Sequence, residues 1–403
     1  YIKSLPKKGY YVCQLEHMHV ISKIDEASIE KEVEKENYIV DFSSSGVDMT
    51  YFPYNKWRKI MKDCVIDDNS ELFQSGHHQG DIIFRDIIRT YIHQSRGVNC
   101  DVNQIVISAG SDYSLLLLSK ILGDSKKVAM ENPTYLQAYK IFKNSGYEVY
   151  GIGMDKDGMI IDKLRESGAS IAYIAPSHQF PLGTVMPINR RMSILAWAAE
   201  EENRYIIEDD YDSEFRYFGK PIPALQGNDI NEKVIYTGTF SKAIAPAIRI
   251  SYMVLPKSLL KNYHEKASFY FSTVSRIDQA IVGEFISQGH FERHLNKMRG
   301  IYKSKHDLIL KMLKKIDIDF NISGESAGLH LLLEFSEEYS EEGLVKAAAK
   351  KGVKVYPLSD YYIDNGIHRP TIILGYARLS EKDIEKGIFL LENAWKEKGI
   401  YLQ

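Results

Sequence analysis

Seven short apolar runs recur between about Asp41 and Gln288, and stretches with helical spacing of apolar residues lie among them. In chain order the runs are IVISAG, KVAMEN, YEVYGI, IAYIAP, YIIEDD, KVIYTG and ISYMVL. Strands that alternate with helices favour a mostly parallel sheet covered by those helices. The sequence therefore predicts an α/β fold, with a mostly parallel central sheet and helices on both faces.

A change of pattern follows residue 288. Residues 289–311 predict one long amphipathic helix, and three later segments predict strands of a second sheet: GLHLLLEF, VKVYPLSDYY and TIILGYARL. We therefore predict a large domain at residues 41–288, a smaller α+β C-terminal domain at residues 289–403, and a separate segment at residues 1–40.

Composition excludes several classes of protein. The chain has 403 residues and a net charge of −3, without an extended basic stripe, so we expect it not to hold DNA by itself. Its three cysteines, Cys13, Cys64 and Cys100, are odd in number and lack metal-ligand spacing, which favours a reducing compartment. No run approaches membrane-spanning length and no signal peptide is evident, so the sequence predicts a cytoplasmic protein without a metal site.

Lys242 lies in VIYTGTFSKAIAPAIRI, residues 234–250, where an apolar strand ends and a turn begins. A lysine desolvated at a strand end becomes partly neutral and nucleophilic. Nearby hydroxyls and Arg249, seven residues later, could hold a phosphate beside it. The alternative is an ordinary surface lysine.

Three upstream segments bear on that choice. Gly110–Asp112 joins an apolar run to a helical pattern, as at a helix start that binds anions, although Ser111 or Asp112 as a simple helix cap is the alternative. In ENPTYLQAYK, Tyr135 lies just inside a predicted helix start, where it could stack on a flat ring or simply pack in the core.

The third segment, RYIIEDDYDSEFRY, is an apolar strand that ends in Glu208, Asp209, Asp210 and Tyr211. Acids at the carboxyl edge of an open α/β sheet can bind magnesium or keep a pyridine nitrogen protonated. No GxxxxGK[ST] loop accompanies these acids, which weakens the magnesium alternative.

In this order, the four segments resemble the fold-type I pyridoxal-phosphate enzymes, the aspartate aminotransferase superfamily, over nearly the whole chain. The resemblance implies that Lys242 forms the internal aldimine, Asp209 pairs with the pyridine nitrogen, Tyr211 donates to the phenolic oxygen and Tyr135 stacks on the ring. It also implies a phosphate cradle made of five residues: Ser111, Asp112, Thr239, Ser241 and Arg249.

A narrower resemblance covers residues 174–217 and 219–226, which look like the aminotransferase-like domain of the MocR group of GntR transcription regulators. Phe180 stands where ordinary aminotransferases carry an asparagine, and His178 or Gln179 could reach the cofactor instead. LPKKGYYV, Leu5–Val12, resembles the last strand of a winged helix-turn-helix head, and a polar stretch to Asn37 predicts a linker.

That resemblance implies that DNA is contacted only through a winged-helix domain, which is missing ahead of Tyr1. Because the first residue is tyrosine and not methionine, we expect the chain to be processed or partial. The alternative for residues 1–40 is an N-terminal arm of a free-standing aminotransferase.

Two departures from the aminotransferase pattern bear on activity. By the resemblance, Ile373 stands where aminotransferases place the arginine that clamps the substrate carboxylate, and the nearby Arg369 and Arg378 are both offset from that position. Ser75 stands where relatives place a tyrosine that reaches the partner's cofactor. His77 and His78 beside it could bind phosphate or be ordinary loop histidines.

The sequence therefore predicts an effector-sensing and dimerisation domain. This domain would act as a homodimer. Its effector would be an amine or an amino acid, with which the cofactor forms an external aldimine, or pyridoxal phosphate itself. Full transamination is expected to be slow or absent. One alternative is an active aminotransferase. Another is a structural dimerisation domain that has lost the cofactor. The presence of four cofactor-site residues argues against this last alternative: Lys242, Asp209, Tyr211 and Arg249.

Overall fold

The structure is a computed structural model and describes residues 2–12, 37–66, 70–123, 126–217, 222–325, 327–364, 366 and 368–396. The chain divides into two compact units, Tyr1–Asn37 and Tyr38–Gln403. The first contains an antiparallel hairpin of β1 (Ile2–Leu5) and β2 (Gly9–Val12). Most of the predicted polar linker lies outside the described residues.

The second unit contains the remaining elements. Its strands are β3 (Val40–Asp41), β4 (Ile105–Ser108), β5 (Lys127–Asn132), β6 (Glu148–Asp155), β7 (Gly158–Met159), β8 (Ile171–Ile174), β9 (Tyr205–Asp210), β10 (Val234–Thr239), β11 (Ser251–Val254), β12 (Phe320–Ser323), β13 (His330–Phe335), β14 (Val353–Lys354), β15 (Tyr356–Pro357) and β16 (Thr371–Gly375). Its helices are α1 (Tyr54–Ile66), α2 (Ile82–Arg96), α3 (Ser111–Leu122), α4 (Leu136–Asn144), α5 (Ile161–Glu166), α6 (Ile188–Ala199), α7 (Lys257–Lys266), α8 (Arg276–Ser287), α9 (His290–Leu313), α10 (Glu341–Lys350) and α11 (Glu381–Trp395).

The central sheet has the strand order β4-β11-β10-β9-β8-β5-β6-β7. The five strands from β10 to β6 are parallel, whereas β11 runs antiparallel to both of its neighbours and β7 runs antiparallel to β6. The prediction of a mostly parallel sheet is confirmed.

Helices cover both faces of this sheet because successive strand residues point to opposite sides. In β4, Val106 belongs to the apolar cluster that contains Leu118 of α3. Its neighbours Ile105 and Ile107 belong instead to the cluster that contains Ile88 of α2. Burial on both faces explains why these strands are continuous apolar runs in the sequence.

The C-terminal elements form a second, antiparallel sheet in the order β12-β13-β16-β15. The predicted long helix is α9. β3 pairs in parallel with β14, and Val40 and Phe42 pack in the same apolar cluster as Leu344 and Trp395. The segment at residues 40–42 therefore packs with the C-terminal elements. The limits of the three segments, 1–40, 41–288 and 289–403, remain predictions.

No helix in the described ranges combines the length and the apolar character needed to cross a bilayer.

Candidate functional site

A cavity of about 530 Å³ lies at the carboxyl ends of the parallel strands. Glu131 reaches it from β5, Asp209 from β9 and Thr239 from β10, while Leu329 and His330 approach from the C-terminal elements. Carboxyl ends of neighbouring parallel strands meet at one edge, where open α/β sheets bind ligands. Of the nine residues that the resemblance assigns to the cofactor site, all except Asp112 line this cavity.

Of the three acids that end β9, only Asp209 lines the cavity. Side chains alternate along a strand, so Glu208 and Asp210 lie on the opposite face. There Glu208 accepts hydrogen bonds from the backbone nitrogens of Leu225 (2.7 Å) and Gln226 (2.9 Å). The buried Asp210 carboxylate pairs with Arg96 Nε at 2.7 Å. Glu208 therefore anchors the segment around Leu225, and Asp210 anchors the C-terminal end of α2.

Asp209 is a half-buried acid that accepts a hydrogen bond from the Tyr173 hydroxyl. Burial raises the pKa of its carboxyl group to about 6, and the hydroxyl of Tyr173, which donates to it, partly offsets this rise. A cationic N–H group placed opposite Asp209 would favour its ionised form.

Lys242 follows β10 and reaches into the same cavity. Its Nζ donates a hydrogen bond to the backbone oxygen of Ser44 at 2.7 Å. Burial lowers the pKa of the Lys242 amine, and the negative charge of Asp212 opposes the shift. A lysine amine with a lowered pKa has a larger neutral, nucleophilic fraction.

Donors converge at the start of α3. Gly110 precedes the helix with a φ of 91°, and a Cβ atom on it would overlap the Arg249 guanidinium. Ser241 Oγ is buried and has no hydrogen-bond partner among the described residues. With the free N–H groups of the first turn, the Ser241 hydroxyl and Arg249 suit an anion.

Asp112 does not line the cavity, because its carboxylate pairs with Arg249 Nη2 at 2.9 Å. A carboxylate repels a phosphate, so the Asp112 side chain is unsuited to the cradle that the sequence predicts. Its backbone N–H, in the first turn of α3, is the group that can face an anion.

Tyr135 is the N-cap residue of α4. The sequence placed it just inside this helix, so the prediction was one residue off. Its ring lies edge-on to Phe180, with ring centroids 6.4 Å apart. His178 and Gln179, the residues expected to compensate for Phe180, do not line the cavity. Gln179 is bonded to the Pro133 backbone oxygen at 2.8 Å, and His178 Nδ1 lies 2.9 Å from the Tyr211 hydroxyl.

No replacement for the carboxylate-clamping arginine reaches the cavity from the described residues. Ile373 is fully buried in β16 beside Leu332 and Leu358. Arg369 pairs with Glu334 at 2.8 Å, and Arg378 lies 3.6 Å from an oxygen of Asp41. The cationic side chains that line the cavity are Lys140, Lys242 and Arg249.

The two adjacent histidines lie outside the cavity of this chain. Their ring centroids are 4.0 Å apart, and His78 Nδ1 lies 2.8 Å from the Tyr263 hydroxyl. Burial, with a contribution from His77, lowers the pKa of His78 to about 4, so it is neutral at pH 7. Among the described residues, no three His, Cys, Asp or Glu side chains are placed to share a metal ion.

Several cavity residues had not been predicted. Glu131 ends the apolar run KVAMEN, the same signal that marked Asp209, and burial raises its pKa to about 8. The backbone nitrogen of Ala175 donates to its carboxyl group at 3.1 Å. His330 and Tyr361 come from the C-terminal elements and carry no local signal.

The family model for aminotransferase class I and II matches residues 39–388. The crystal structure of Pyrococcus horikoshii kynurenine aminotransferase, in complex with PMP, aligns with a TM-score of 0.80 and 25% identity, over 90% of this chain and 92% of that one. The chain belongs to the aminotransferase class I and II family, whose fold is that of pyridoxal-phosphate enzymes.

Within this family the chain is similar to a group of regulators. It is 40% identical to the uncharacterized HTH-type transcriptional regulator YdeL of Bacillus subtilis, over 98% of this chain and 86% of YdeL. It is 31% identical to the probable rhizopine catabolism regulatory protein MocR of Rhizobium meliloti, over 85% of this chain and 70% of MocR. The chain is a member of the MocR-type HTH regulators.

Proposed function

We propose that this chain is the pyridoxal-phosphate-binding, effector-sensing and dimerisation region of a MocR/GntR-type regulator. The main observation behind this proposal is the cavity, in which Lys242, Asp209 and an anion site lie together. Among the described residues, the arginine that would bind a substrate carboxylate is absent from this cavity. When bound, pyridoxal phosphate supplies an aldehyde that condenses with amines and a ring that withdraws electrons.

The residues of the cavity fit that cofactor. Lys242 holds it covalently through its amine, Asp209 faces the ring nitrogen, Tyr211 donates to the phenolic oxygen and Tyr135 packs against the ring. The phosphate is held by the side chains of Ser241, Thr239 and Arg249 and by the N–H groups at the start of α3, those of Ser111 and Asp112. The buried Ser241 hydroxyl, for which the described part of the chain offers no hydrogen-bond partner, supports this placement.

The effector is an amine or an amino acid that competes with Lys242 for the cofactor, or pyridoxal phosphate itself. A sensor needs only two conformations that differ in affinity for the effector. It does not need a carboxylate held for a complete catalytic cycle. The missing arginine removes a charge-assisted contact worth about 1.5–3 kcal/mol, which supports binding without efficient turnover.

Assembly as a homodimer is supported by exposed apolar side chains, among them Phe73, Ile83, Phe269 and Phe271. Exposed apolar surface of this kind commonly marks an interface. Light scattering of the cofactor-bound protein at micromolar concentration should give the mass of a dimer, and a stable monomer would contradict the proposal.

DNA binding belongs to a helix-turn-helix domain that precedes Tyr1. The net charge of −3 supports this assignment, because non-specific DNA affinity depends on basic groups. The 403-residue chain should bind no operator tightly at physiological salt, and sequence-specific binding by this chain alone would overturn the assignment.

The second candidate is an active aminotransferase, favoured by the complete set of Lys242, Asp209 and Tyr211. A spectral titration with a panel of amines, followed by multiple-turnover assays with amino acids and keto acids, separates the two. A regulator shows spectral changes with slow or no turnover. Turnover near the enzyme median of about 10 per second would establish the aminotransferase.

A further inference from the structure

A second cavity, of about 610 Å³, shares no lining residue with the cavity that contains Lys242. Its wall is formed by α2, the segment that follows β9, the end of α8 and the N-terminal half of α9. Small-molecule sites commonly have volumes of about 300–1,000 Å³, so this cavity is large enough to hold a ligand. The proposed function assigns no role to the residues that line it.

Arg216 is a cation on this wall without a counter-ion. Among the described residues its guanidinium takes part in no hydrogen bond or ion pair, and its Nε is buried. A buried N–H group without an acceptor costs free energy, because it has lost its hydrogen bonds to water. The planar guanidinium matches the two oxygens of a carboxylate, so Arg216 indicates a site for an anion.

The other two arginines on the wall are held by the protein. The Arg96 Nε pairs with Asp210 at 2.7 Å. The Arg299 Nε donates to the backbone oxygen of Glu214 at 2.7 Å, and Glu214 lies shortly before Arg216 in the chain. Arg299 therefore fixes the segment that carries Arg216 and adds positive charge to the same wall.

Three acids also line the cavity, and they disfavour a highly charged anion. Asp86 pairs with Arg89 at 2.8 Å, and Glu292 is exposed in the first turn of α9. The Glu214 carboxyl accepts from the Tyr91 hydroxyl at 2.9 Å, and burial raises its pKa to about 7. A partly protonated Glu214 tolerates a monoanion near pH 7, whereas it repels a phosphate dianion more strongly.

Apolar side chains complete the wall: Ile87 from α2, Ile286 from α8, and Phe291 and Leu295 from α9. These side chains favour a ligand with apolar surface, because binding removes that surface and theirs from water. We propose that this cavity is a second ligand site, which binds a small monocarboxylate with an apolar body and pairs its carboxylate with Arg216.

The second site adjoins the first cavity through the segment at residues 211–217. Tyr211 and Asp212 line the first cavity, and Arg216 lines the second. Between them, the Phe215 nitrogen donates to the Asp212 backbone oxygen at 2.9 Å. A carboxylate on Arg216 therefore acts on the segment that carries Tyr211. This consequence rests on the proposed function, in which Tyr211 contacts the cofactor.

Calorimetric titration of the cofactor-free 403-residue chain tests the site, with naphthylacetate and naphthylacetamide as probes. The two probes differ only in the charged carboxylate. Naphthylacetate should bind, and the amide should bind at least about tenfold more weakly, because it lacks the charge that pairs with Arg216. Comparable affinities for the two probes, tighter binding of inorganic phosphate, or no binding of naphthylacetate by the wild type would overturn the proposal.

Arg216→Gln should weaken naphthylacetate binding roughly ten- to hundredfold, because it removes a charged hydrogen-bond donor. The matched control is Arg58→Gln, which removes the same charge from an exposed arginine of α1 outside both cavities and should leave the affinity unchanged. Thr90→Trp keeps Arg216 and fills the cavity from an exposed position on α2, so it should abolish binding. Wild-type affinity in whichever of the two cavity variants folds would place the ligand elsewhere and contradict the proposal.

Cofactor titrations separate this proposal from the proposed function. Saturating naphthylacetate should change the affinity for pyridoxal phosphate, and saturating cofactor should change the affinity for naphthylacetate by the same factor. Arg216→Gln should remove both changes. A cofactor affinity that naphthylacetate leaves unchanged would overturn the coupling through residues 211–217. If the wild type binds no cofactor, the proposed function fails, while the calorimetric result still decides the second site.

Discussion

Lys242 Nζ donates to the backbone oxygen of Ser44, 198 residues earlier in the chain, at 2.7 Å. Ser44 follows β3, which pairs with β14 among the C-terminal elements. The amine at the centre of the cavity is therefore held by a segment that packs with the smaller sheet. A ligand that changes the bonding of the Lys242 nitrogen changes this contact between the two halves of the second unit.

Lys242→Ala should abolish the covalent adduct that borohydride traps between the protein and pyridoxal phosphate. The matched control is Lys140→Ala, because Lys140 lines the same cavity. Mass spectrometry after reduction should find one adduct per chain in the wild type and the control, and none in Lys242→Ala. An adduct at unchanged stoichiometry in Lys242→Ala would show that another amine holds the cofactor.

Asp209→Asn should weaken cofactor binding roughly ten- to hundredfold, because a hydrogen bond to a charged group contributes about 1.5–3 kcal/mol. Asp360→Asn, which also changes a carboxyl group on the cavity wall, is the control and should bind as the wild type does. Fluorescence titration with pyridoxal phosphate measures both. Equal affinities in the two variants would remove Asp209 from the ring-nitrogen role.

Glu131→Gln should change how stability depends on pH in the cofactor-free protein. Burial raises the pKa of Glu131 from 4.5 to about 8, so between these pH values the folded state holds a proton that the unfolded state releases. Stability from this group is fully present below pH 4.5 and is lost as pH rises toward 8, at about 1.4 kcal/mol per pH unit.

The glutamine variant should therefore lose less stability than the wild type as pH rises. Urea unfolding at several pH values measures the slope, and the exposed Glu385→Gln serves as control. Parallel curves for the wild type and Glu131→Gln would mean that the Glu131 carboxyl is already ionised in the folded protein.

Ile373→Arg should destabilise the fold by about 3–5 kcal/mol and should not create a transaminase. Ile373 is fully buried among apolar side chains, so the arginine would be a buried charge without a partner. Ile373→Val, the control, should cost about 0.5–1.5 kcal/mol. A stable arginine variant that gains turnover with amino acids would show that this position does reach the substrate.

Local patterns were sufficient for seven of the eight strands of the central sheet, all except the two-residue β7, and eight of the nine residues predicted for the cofactor site line the cavity. ISYMVL was recognised as a strand, but its antiparallel direction as β11 depends on the path of the preceding turn, which apolar periodicity does not report. The cluster Glu208–Asp210 was predicted to hold a functional acid. Strand alternation then separates Asp209, which lines the cavity, from Glu208 and Asp210, which do not.

Contacts between distant segments could not be predicted in this way. Ser44, His330 and Tyr361 reach the cavity because β3 and the second sheet pack beside it. Asp112 was predicted to belong to the phosphate cradle because of its position in the GSD motif. Its side chain instead pairs with Arg249, 137 residues later in the chain. Sequence spacing identifies which residues share a turn, whereas the direction of each side chain depends on its tertiary partners.

The alternation along β9 also constrains how this family member can change. Because Asp209 faces the cavity, whereas Glu208 binds the Leu225 backbone and Asp210 binds Arg96 of α2 on the other face, inserting or deleting a single residue in the strand would exchange their environments. Asp209 would then leave the cavity. The carboxylates of Glu208 and Asp210 would enter it and lose their hydrogen-bond donors on the other face. Length changes should therefore be tolerated in the loop before β9 and excluded from the strand itself and from Tyr211 and Asp212, which follow it on the cavity wall.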